Sequence, residues 1–189
     1  MNLPIGLTIT RIVAAPFLIL FLISSSRVHA LIAAAIFILA SVTDWLDGLL
    51  ARRRNQVTTL GTLLDPIADK LLVAAALVSL LTINKIDAWI VVVIIGRELA
   101  VTGLRAVAAG VGVIVPASRL AKWKTVSQYF AVTMLIVEKG FGSPPFHLAA
   151  TGVLWVAVAL TIVSAADYFY RFFRKADYRA IVPEEDRWS

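Results

Sequence analysis

Four aspartates are the residues best suited to hold metal ions, because they occur as two closely spaced pairs. Asp44 and Asp47 are three positions apart. Asp65 and Asp69 are four positions apart. On a helix, either spacing places both carboxylates on one face. Two such pairs facing each other would provide hard oxygen ligands for two divalent cations, Mg²⁺ or Mn²⁺. Without cations, four clustered carboxylates would repel one another strongly in an apolar setting.

The aspartates lie in an apolar chain whose hydrophobic runs predict membrane helices. Hydrophobic residues make up 60% of the 189 residues and charged residues 16%, and the mean hydropathy is +0.86. A soluble domain carries about 25% charged residues. The runs are long enough to cross a bilayer. We predict an all-α membrane protein with six transmembrane helices at about 1–23, 30–50, 59–82, 88–109, 120–137 and 148–170, and a charged tail at about 171–189. The absence of cysteine excludes disulfides and thiolate metal sites.

The distribution of basic residues predicts the orientation of these helices. Six helices place both termini on one side of the membrane. All but three of the 18 lysines and arginines lie on or toward that side, the exceptions being Arg27, Lys85 and Lys139. Because basic residues are enriched on the cytoplasmic side, we expect cytoplasmic termini and aspartates that face the cytoplasm. No linker or repeat divides the chain, so a single domain over residues 1–189 is the simplest organisation.

The spacing around the aspartates resembles the signature of the CDP-alcohol phosphatidyltransferase family. From Asp44 the sequence reads D-x2-D-G-x2-A-R-x8-G-x3-D-x3-D, and each fixed position of the signature is matched. The family consists of integral membrane enzymes that move a phosphatidyl group from a CDP-linked lipid to an alcohol. The resemblance implies that Asp44, Asp47, Asp65 and Asp69 hold the two cations. It also implies that Asp69 is the general base for the acceptor hydroxyl, which a carboxylate within hydrogen-bond reach can be.

The same resemblance implies a set of contacts to the CDP-lipid. They fall on Gly48, Arg52, Thr58 and Gly61 in the signature and on Pro4 and Thr8 near the N-terminus. The two signature glycines permit a close approach of backbone or nucleotide. Arg52 offers a planar fork for a phosphate.

Each of three signature residues also has a purely structural explanation. Arg52 could mark the cytoplasmic end of a membrane helix. Thr58 could be a helix N-cap, and Asp65 could be an N-cap that precedes Pro66 in a first helical turn.

Ile5 departs from the family, many of whose bacterial members have asparagine at this position.

A second group of charged residues lies in the predicted fourth and fifth helices. Arg97 and Arg105 are eight positions apart and share a helix face. Ionisable residues inside a membrane are costly and are therefore functional candidates. Lys122 and Lys124 begin the next helix on the same side. Together these residues predict a basic pocket for an acceptor that carries a phosphate. The alternatives are a structural ion pair of Arg97 with Glu98 or with one of the signature aspartates, and an interfacial anchor at Lys124.

Outside the signature, the segments GRELAVTGLR and AKWKT resemble the family members whose acceptor is sn-glycerol 3-phosphate. The resemblance implies CDP-diacylglycerol as donor, a bacterial inner-membrane location, a homodimer and no nucleic-acid partner. Sister transferases remain alternatives, namely those that make cardiolipin or phosphatidylinositol phosphate. An alternative from another class is a divalent-cation transporter with the aspartates as its permeation site. Flux of Mn²⁺ into liposomes would distinguish the transporter from the enzymes.

Overall fold

The computed structural model describes the backbone of residues 3–54, 59–110, 116 and 118–181. Side chains are described for 9–43, 68, 70–110, 116, 118 and 120–175. The described residues form six α-helices and no β-strand, which confirms the all-α prediction. The helices are α1 (Leu3–Ile23), α2 (Arg27–Arg54), α3 (Thr59–Thr82), α4 (Ala88–Gly110), α5 (Arg119–Phe141) and α6 (Pro144–Ile181).

The ends of the last two helices differ from those predicted. The segment 138–147, expected to be a loop, is mostly helical: α5 continues to Phe141, and α6 begins at Pro144. Gly142 ends α5 in the left-handed conformation (φ 54°), and its amide donates to the carbonyl of Glu138. Proline is tolerated in a first helical turn because the amide it lacks has no partner there. Glycine and proline therefore mark a tight corner between two helices, rather than a long loop.

The tail expected after residue 170 is also partly helical, because α6 extends to Ile181. Arg171 donates to Asp167 at 2.8 Å, an i,i+4 pair that stabilises this part of the helix. At the other end of the chain, Pro16 lies inside a continuous α1.

The core consists of one large apolar cluster between the helices and a smaller one, formed by α4 and α6, that contains Val101 and Tyr168. α1 packs against α2 and α3, α5 packs against α2 and α6, and α4 packs mainly against α6. Leu18, Phe37 and Leu77, from three different helices, are fully buried in the large cluster. The buried alanines of α2 and α3 allow their backbones to approach the neighbouring helices closely.

Polar contacts join the helix connections at one end of the bundle. The ammonium of Lys139, near the end of α5, donates to the backbone carbonyls of Leu22, in the last turn of α1, and of Ser24, just after α1. Lys85, between α3 and α4, donates to Glu138 at 2.7 Å. These contacts place the α1–α2, α3–α4 and α5–α6 connections together. The aspartate-bearing ends of α2 and α3 therefore belong to the opposite end.

The exterior of the bundle is strongly apolar. Each of the six helices exposes large apolar side chains, among them Leu20, Leu39, Val78, Val92, Phe130 and Leu148. Soluble monomers rarely expose apolar surface on such a scale.

Among the described residues, one helical segment, Pro144–Lys175, is long and apolar enough by length and composition to cross a membrane. Shorter apolar stretches occupy Ile9–Ile23, Arg27–Thr43 and Lys70–Thr82. Their helices continue into residues whose side chains are not described. The middle of α4 carries Arg97, Glu98 and Arg105, which lowers its apolar character. The six predicted spans therefore stay a prediction.

Candidate functional site

The backbone places the aspartates on two consecutive helices. Asp44 and Asp47 lie in α2, and Asp65 and Asp69 lie in α3. Asp65 is six positions inside α3, which begins at Thr59, so it is not the N-cap of that helix. The side chains of all four aspartates lie outside the described residues, and their convergence stays a prediction.

The connection between α2 and α3 limits how far apart these aspartates can be along the bundle. Only residues 55–58 separate the end of α2 at Arg54 from the start of α3 at Thr59. With a rise of about 1.5 Å per residue, Asp47 lies about 10 Å before the end of α2, and Asp65 about 9 Å after the start of α3. The two pairs are therefore at similar depths from the same end of the bundle. Two aspartate pairs on backbone segments at similar depths would be a donor set suited to Mg²⁺ or Mn²⁺. Among the residues with described side chains, no group of three or more His, Asp or Glu residues could hold a metal ion.

The residues predicted to contact the CDP-lipid also lie outside the described side chains. Thr58 is outside the described backbone as well. The others belong to described helices, with Pro4 and Thr8 in α1, Gly48 and Arg52 in α2, and Gly61 in α3. Their roles stay predictions.

The cations of α4 and α5 meet at a single carboxylate, that of Glu98. Arg97 donates from Nη1 to Oε1 of Glu98 at 3.1 Å. The ammonium of Lys124 forms an ion pair with the same oxygen. Lys124 is only 3% exposed although it is charged, so its partner must lie within the protein. The Arg97–Glu98 ion pair, which the sequence offered as an alternative, is therefore present. Glu98 also pairs with Lys124 from a second helix.

Helix α6 completes this cluster with side chains that the sequence analysis did not single out. Arg97 donates from Nη2 to the hydroxyl of Ser164 at 3.0 Å. Ser164 is buried and donates in turn to the carbonyl of Thr161 at 3.1 Å, which fixes its orientation. The guanidinium of Arg105 lies 5.8 Å from the centre of the Tyr168 ring, a cation–π distance. Ser164 and Tyr168 are four positions apart on one face of an apolar helix, and this spacing was the available sign in the sequence.

Helix α3 reaches the same cluster through Lys70, which directly follows Asp69. The ammonium of Lys70 donates to the hydroxyl of Thr102 on α4. The positive charges of Arg97 and Lys70 both repel that of Lys124, which places the three cations within electrostatic range of one another. Arg105 likewise repels Arg97. We define the cation cluster as Lys70, Arg97, Arg105 and Lys124.

Lys122 is not part of this arrangement among the described contacts. It is exposed, whereas Lys124 is buried. Two positions on a helix correspond to a rotation of about 200°, which directs the two lysines to nearly opposite sides of α5. The structure thus brings together three of the four residues predicted to bind the acceptor phosphate and separates Lys122 from them.

The balance of charge in the cation cluster favours the binding of an anion. Among the described side chains, Glu98 is the single carboxylate in contact with Arg97 and Lys124, and Arg105 and Lys70 add positive charge near these two residues. The nearby Asp167 pairs with Arg171 instead. Clustered positive charge in a partly water-excluded site attracts phosphate groups strongly.

Comparison with known proteins identifies the class to which this helical bundle belongs. The sequence profile described as CDP-alcohol phosphatidyltransferase matches residues 1–163. The chain therefore belongs to the CDP-alcohol phosphatidyltransferase family, which confirms the resemblance found in its aspartate signature.

Individual relatives show which members of the family this chain is similar to. The CDP-diacylglycerol–glycerol-3-phosphate 3-phosphatidyltransferase of Bacillus subtilis (strain 168) is 44% identical over 184 residues, covering 89% of this chain and 93% of the relative. The enzyme of the same name from Rickettsia bellii (strain RML369-C) is 44% identical over 169 residues, with the same coverage. The cardiolipin synthase (CMP-forming) of Oryza sativa subsp. japonica is 36% identical over 191 residues, covering 92% of this chain and 58% of that protein.

Proposed function

We propose that this protein transfers the phosphatidyl group of CDP-diacylglycerol to sn-glycerol 3-phosphate, giving phosphatidylglycerophosphate and CMP. The observation that carries the proposal is the cation cluster, in which the buried Lys124 and the largely buried Arg97 lie beside a single carboxylate. A pocket of this kind suits an acceptor that brings its own phosphate. The proposal is further supported by relatives that are 44% identical and carry the corresponding name.

The four aspartates form the proposed metal centre. Asp44, Asp47, Asp65 and Asp69 would hold two Mg²⁺ or Mn²⁺ ions, which when bound neutralise the diphosphate and stabilise the leaving CMP. Asp69 takes the proton from the C1 hydroxyl of the acceptor. The hydroxyl oxygen then forms a bond to the phosphorus that carries diacylglycerol, and the bond from that phosphorus to CMP breaks. Lys70 directly follows Asp69 in α3 and donates to Thr102 of α4, so the proposed base is next in sequence to a member of the cation cluster.

We assign the donor nucleotide to residues of the aspartate signature. Arg52 would pair with a phosphate of the donor, and Gly48 and Gly61 would leave room for the nucleotide. Thr58, Pro4 and Thr8 complete the proposed donor contacts, with Pro4 and Thr8 belonging to α1, which packs against both α2 and α3.

The acceptor phosphate is assigned to the cation cluster. Arg97 and Lys124 would contact it most directly, and Arg105 would add charge from the following turns of α4. Lys122 is the weakest member of the predicted set, since it is exposed on the other side of α5.

The proposed setting is a bacterial inner membrane, with six membrane-spanning helices, cytoplasmic termini and a homodimeric assembly. The apolar exterior of all six helices supports the membrane location. The orientation is supported by two of the three exceptional basic residues, Lys85 and Lys139, which contact the connections at the end opposite the aspartates.

The test is an acceptor panel with purified protein, CDP-diacylglycerol and Mg²⁺ or Mn²⁺. We expect CMP release with glycerol 3-phosphate, and mass spectrometry should identify phosphatidylglycerophosphate as the lipid formed. Glycerol, serine and inositol phosphate should give little product. Comparable CMP release with any of these would contradict the proposed acceptor.

A second candidate is the formation of cardiolipin from phosphatidylglycerol. It is favoured by the 36% identity to the rice cardiolipin synthase over 92% of this chain. The acceptor panel includes phosphatidylglycerol for this reason. Cardiolipin as the main product would replace the glycerol 3-phosphate assignment, whereas the metal centre would be unaffected.

A further inference from the structure

Glu98 is a negative charge inside a site that is otherwise suited to an anion. Its Oε1 atom accepts a hydrogen bond from Arg97 and pairs with Lys124, so one oxygen joins two cations from two helices. The side chain of Glu98 is 23% exposed, compared with 11% for Arg97 and 3% for Lys124. The carboxylate therefore lies toward the open side of the cluster, and the cations lie deeper.

The two cations would not stay together without a counter-ion. Arg97 and Lys124 repel each other, and Lys70 adds to the repulsion on Lys124. In a weakly polar interior, uncompensated charges are strongly destabilised, and such side chains separate or lose their charge. A neutral hydrogen-bond acceptor in place of Glu98 could bond to one cation but could not offset the repulsion between them.

One donor of this cluster, on Arg97, has no partner in the described part of the protein. The Nε atom of Arg97 is buried and makes no hydrogen bond to any described residue. Its Nη1 and Nη2 atoms are directed to Glu98 and Ser164. A buried N–H without a partner costs free energy, which an oxygen of a bound anion could recover.

We propose that Glu98 is a positioning residue for the acceptor phosphate. Its carboxylate holds the guanidinium of Arg97 and the ammonium of Lys124 side by side, so that their remaining N–H groups converge on one anion. This inference rests on the proposed function, because it assigns the way in which that site is kept ready for glycerol 3-phosphate. Glu98 acts through the two cations and takes no part in the chemical step.

The test compares Glu98→Gln and Glu98→Asp with the unchanged protein in steady-state kinetics. Glu98→Gln should raise the KM for glycerol 3-phosphate by about tenfold or more and leave the KM for CDP-diacylglycerol within about twofold, because only acceptor binding depends on the pair. Glu98→Asp keeps the charge on a shorter side chain and should recover most of the acceptor affinity. Combining Glu98→Gln with Lys124→Met should cost less than the two separate changes multiplied together, because both disrupt one arrangement.

Glu138→Gln is the matched control, since Glu138 is a buried carboxylate at the opposite end of the bundle and pairs with Lys85. It should lower thermal stability without changing the KM for the acceptor. If Glu98→Gln raised the KM for glycerol 3-phosphate and the KM for CDP-diacylglycerol equally, Glu98 would have only a general structural role and the proposal would fail. A lower acceptor KM would show that the carboxylate competes with the phosphate and would overturn the proposal.

Binding of inorganic phosphate separates this inference from the proposed function. In detergent, millimolar phosphate should raise the thermal unfolding temperature of the unchanged protein, and this stabilisation should be lost in Glu98→Gln. If the unchanged protein makes no lipid from glycerol 3-phosphate, the proposed function fails, but the phosphate measurement still tests Glu98. Equal phosphate stabilisation in both proteins would contradict the positioning role.

Discussion

Replacing Lys124 by methionine should weaken acceptor binding selectively. Lys124 is 3% exposed and lies against Glu98, so methionine preserves much of its apolar volume and removes its charge. Charge-assisted hydrogen bonds contribute about 1.5–3 kcal/mol, and a tenfold change corresponds to about 1.4 kcal/mol, so the KM for glycerol 3-phosphate should rise by about 10- to 150-fold. The KM for CDP-diacylglycerol should stay nearly constant, because Arg97 remains to pair with Glu98.

The assay is the initial rate of CMP release, with the acceptor varied at saturating donor and then the donor varied at saturating acceptor. Lys122→Met is the matched control, since it removes the same charge from an exposed position on the other side of α5. It should change the acceptor KM by less than about threefold, as expected for an exposed charge. The reasoning is refuted if the two variants behave alike, or if Lys124→Met changes the donor KM and not that of the acceptor.

Four further changes address other parts of the account. Asp69→Asn should reduce turnover by at least about 100-fold while leaving nucleotide binding largely intact, because it removes the general base; near-normal CMP release would exclude that role. Arg105→Ala should raise the acceptor KM more than the donor KM, because it removes positive charge beside Arg97, and an unchanged acceptor KM would place Arg105 outside the pocket. Removing divalent metal with EDTA should abolish CMP release, and Mg²⁺ or Mn²⁺ should restore it; activity that persists in EDTA would contradict the metal assignment. Phe37→Ala should destabilise the fold by about 3–5 kcal/mol, since its side chain is fully buried, and an unchanged unfolding temperature in detergent would contradict its place in the core.

The number and approximate positions of the helices could be predicted because hydrophobic runs are a local property of the sequence. The first four predicted helices correspond to α1 to α4, with ends that differ by a few residues. The corner between α5 and α6 could not be placed, since Gly142 and Pro144 are as compatible with a long loop as with a tight turn between helices. The charged residues after Tyr170 concealed the extension of α6 because exposed helices and charged tails have similar compositions.

The candidate site, like the fold, could be predicted from the sequence only in part. The aspartate pattern is visible in the sequence because its spacing is defined within two consecutive helices. The meeting of Glu98 with Lys124 depends on how α4 and α5 are arranged within the bundle, and no short spacing encodes it. Ser164 and Tyr168 were missed because they lie more than 60 residues from the arginines they contact. The distinction between Lys122 and Lys124 required the rotational position of α5, which two basic residues at the start of an apolar helix do not define.

The most direct test of the central claim is the fate of radiolabelled glycerol 3-phosphate in a reaction with purified protein, CDP-diacylglycerol and Mg²⁺. Label should enter the chloroform-soluble lipid in a one-to-one ratio with the CMP released, as phosphatidyl transfer to this acceptor requires. CMP release with all label remaining in the aqueous phase, or no release at all, would contradict the central claim.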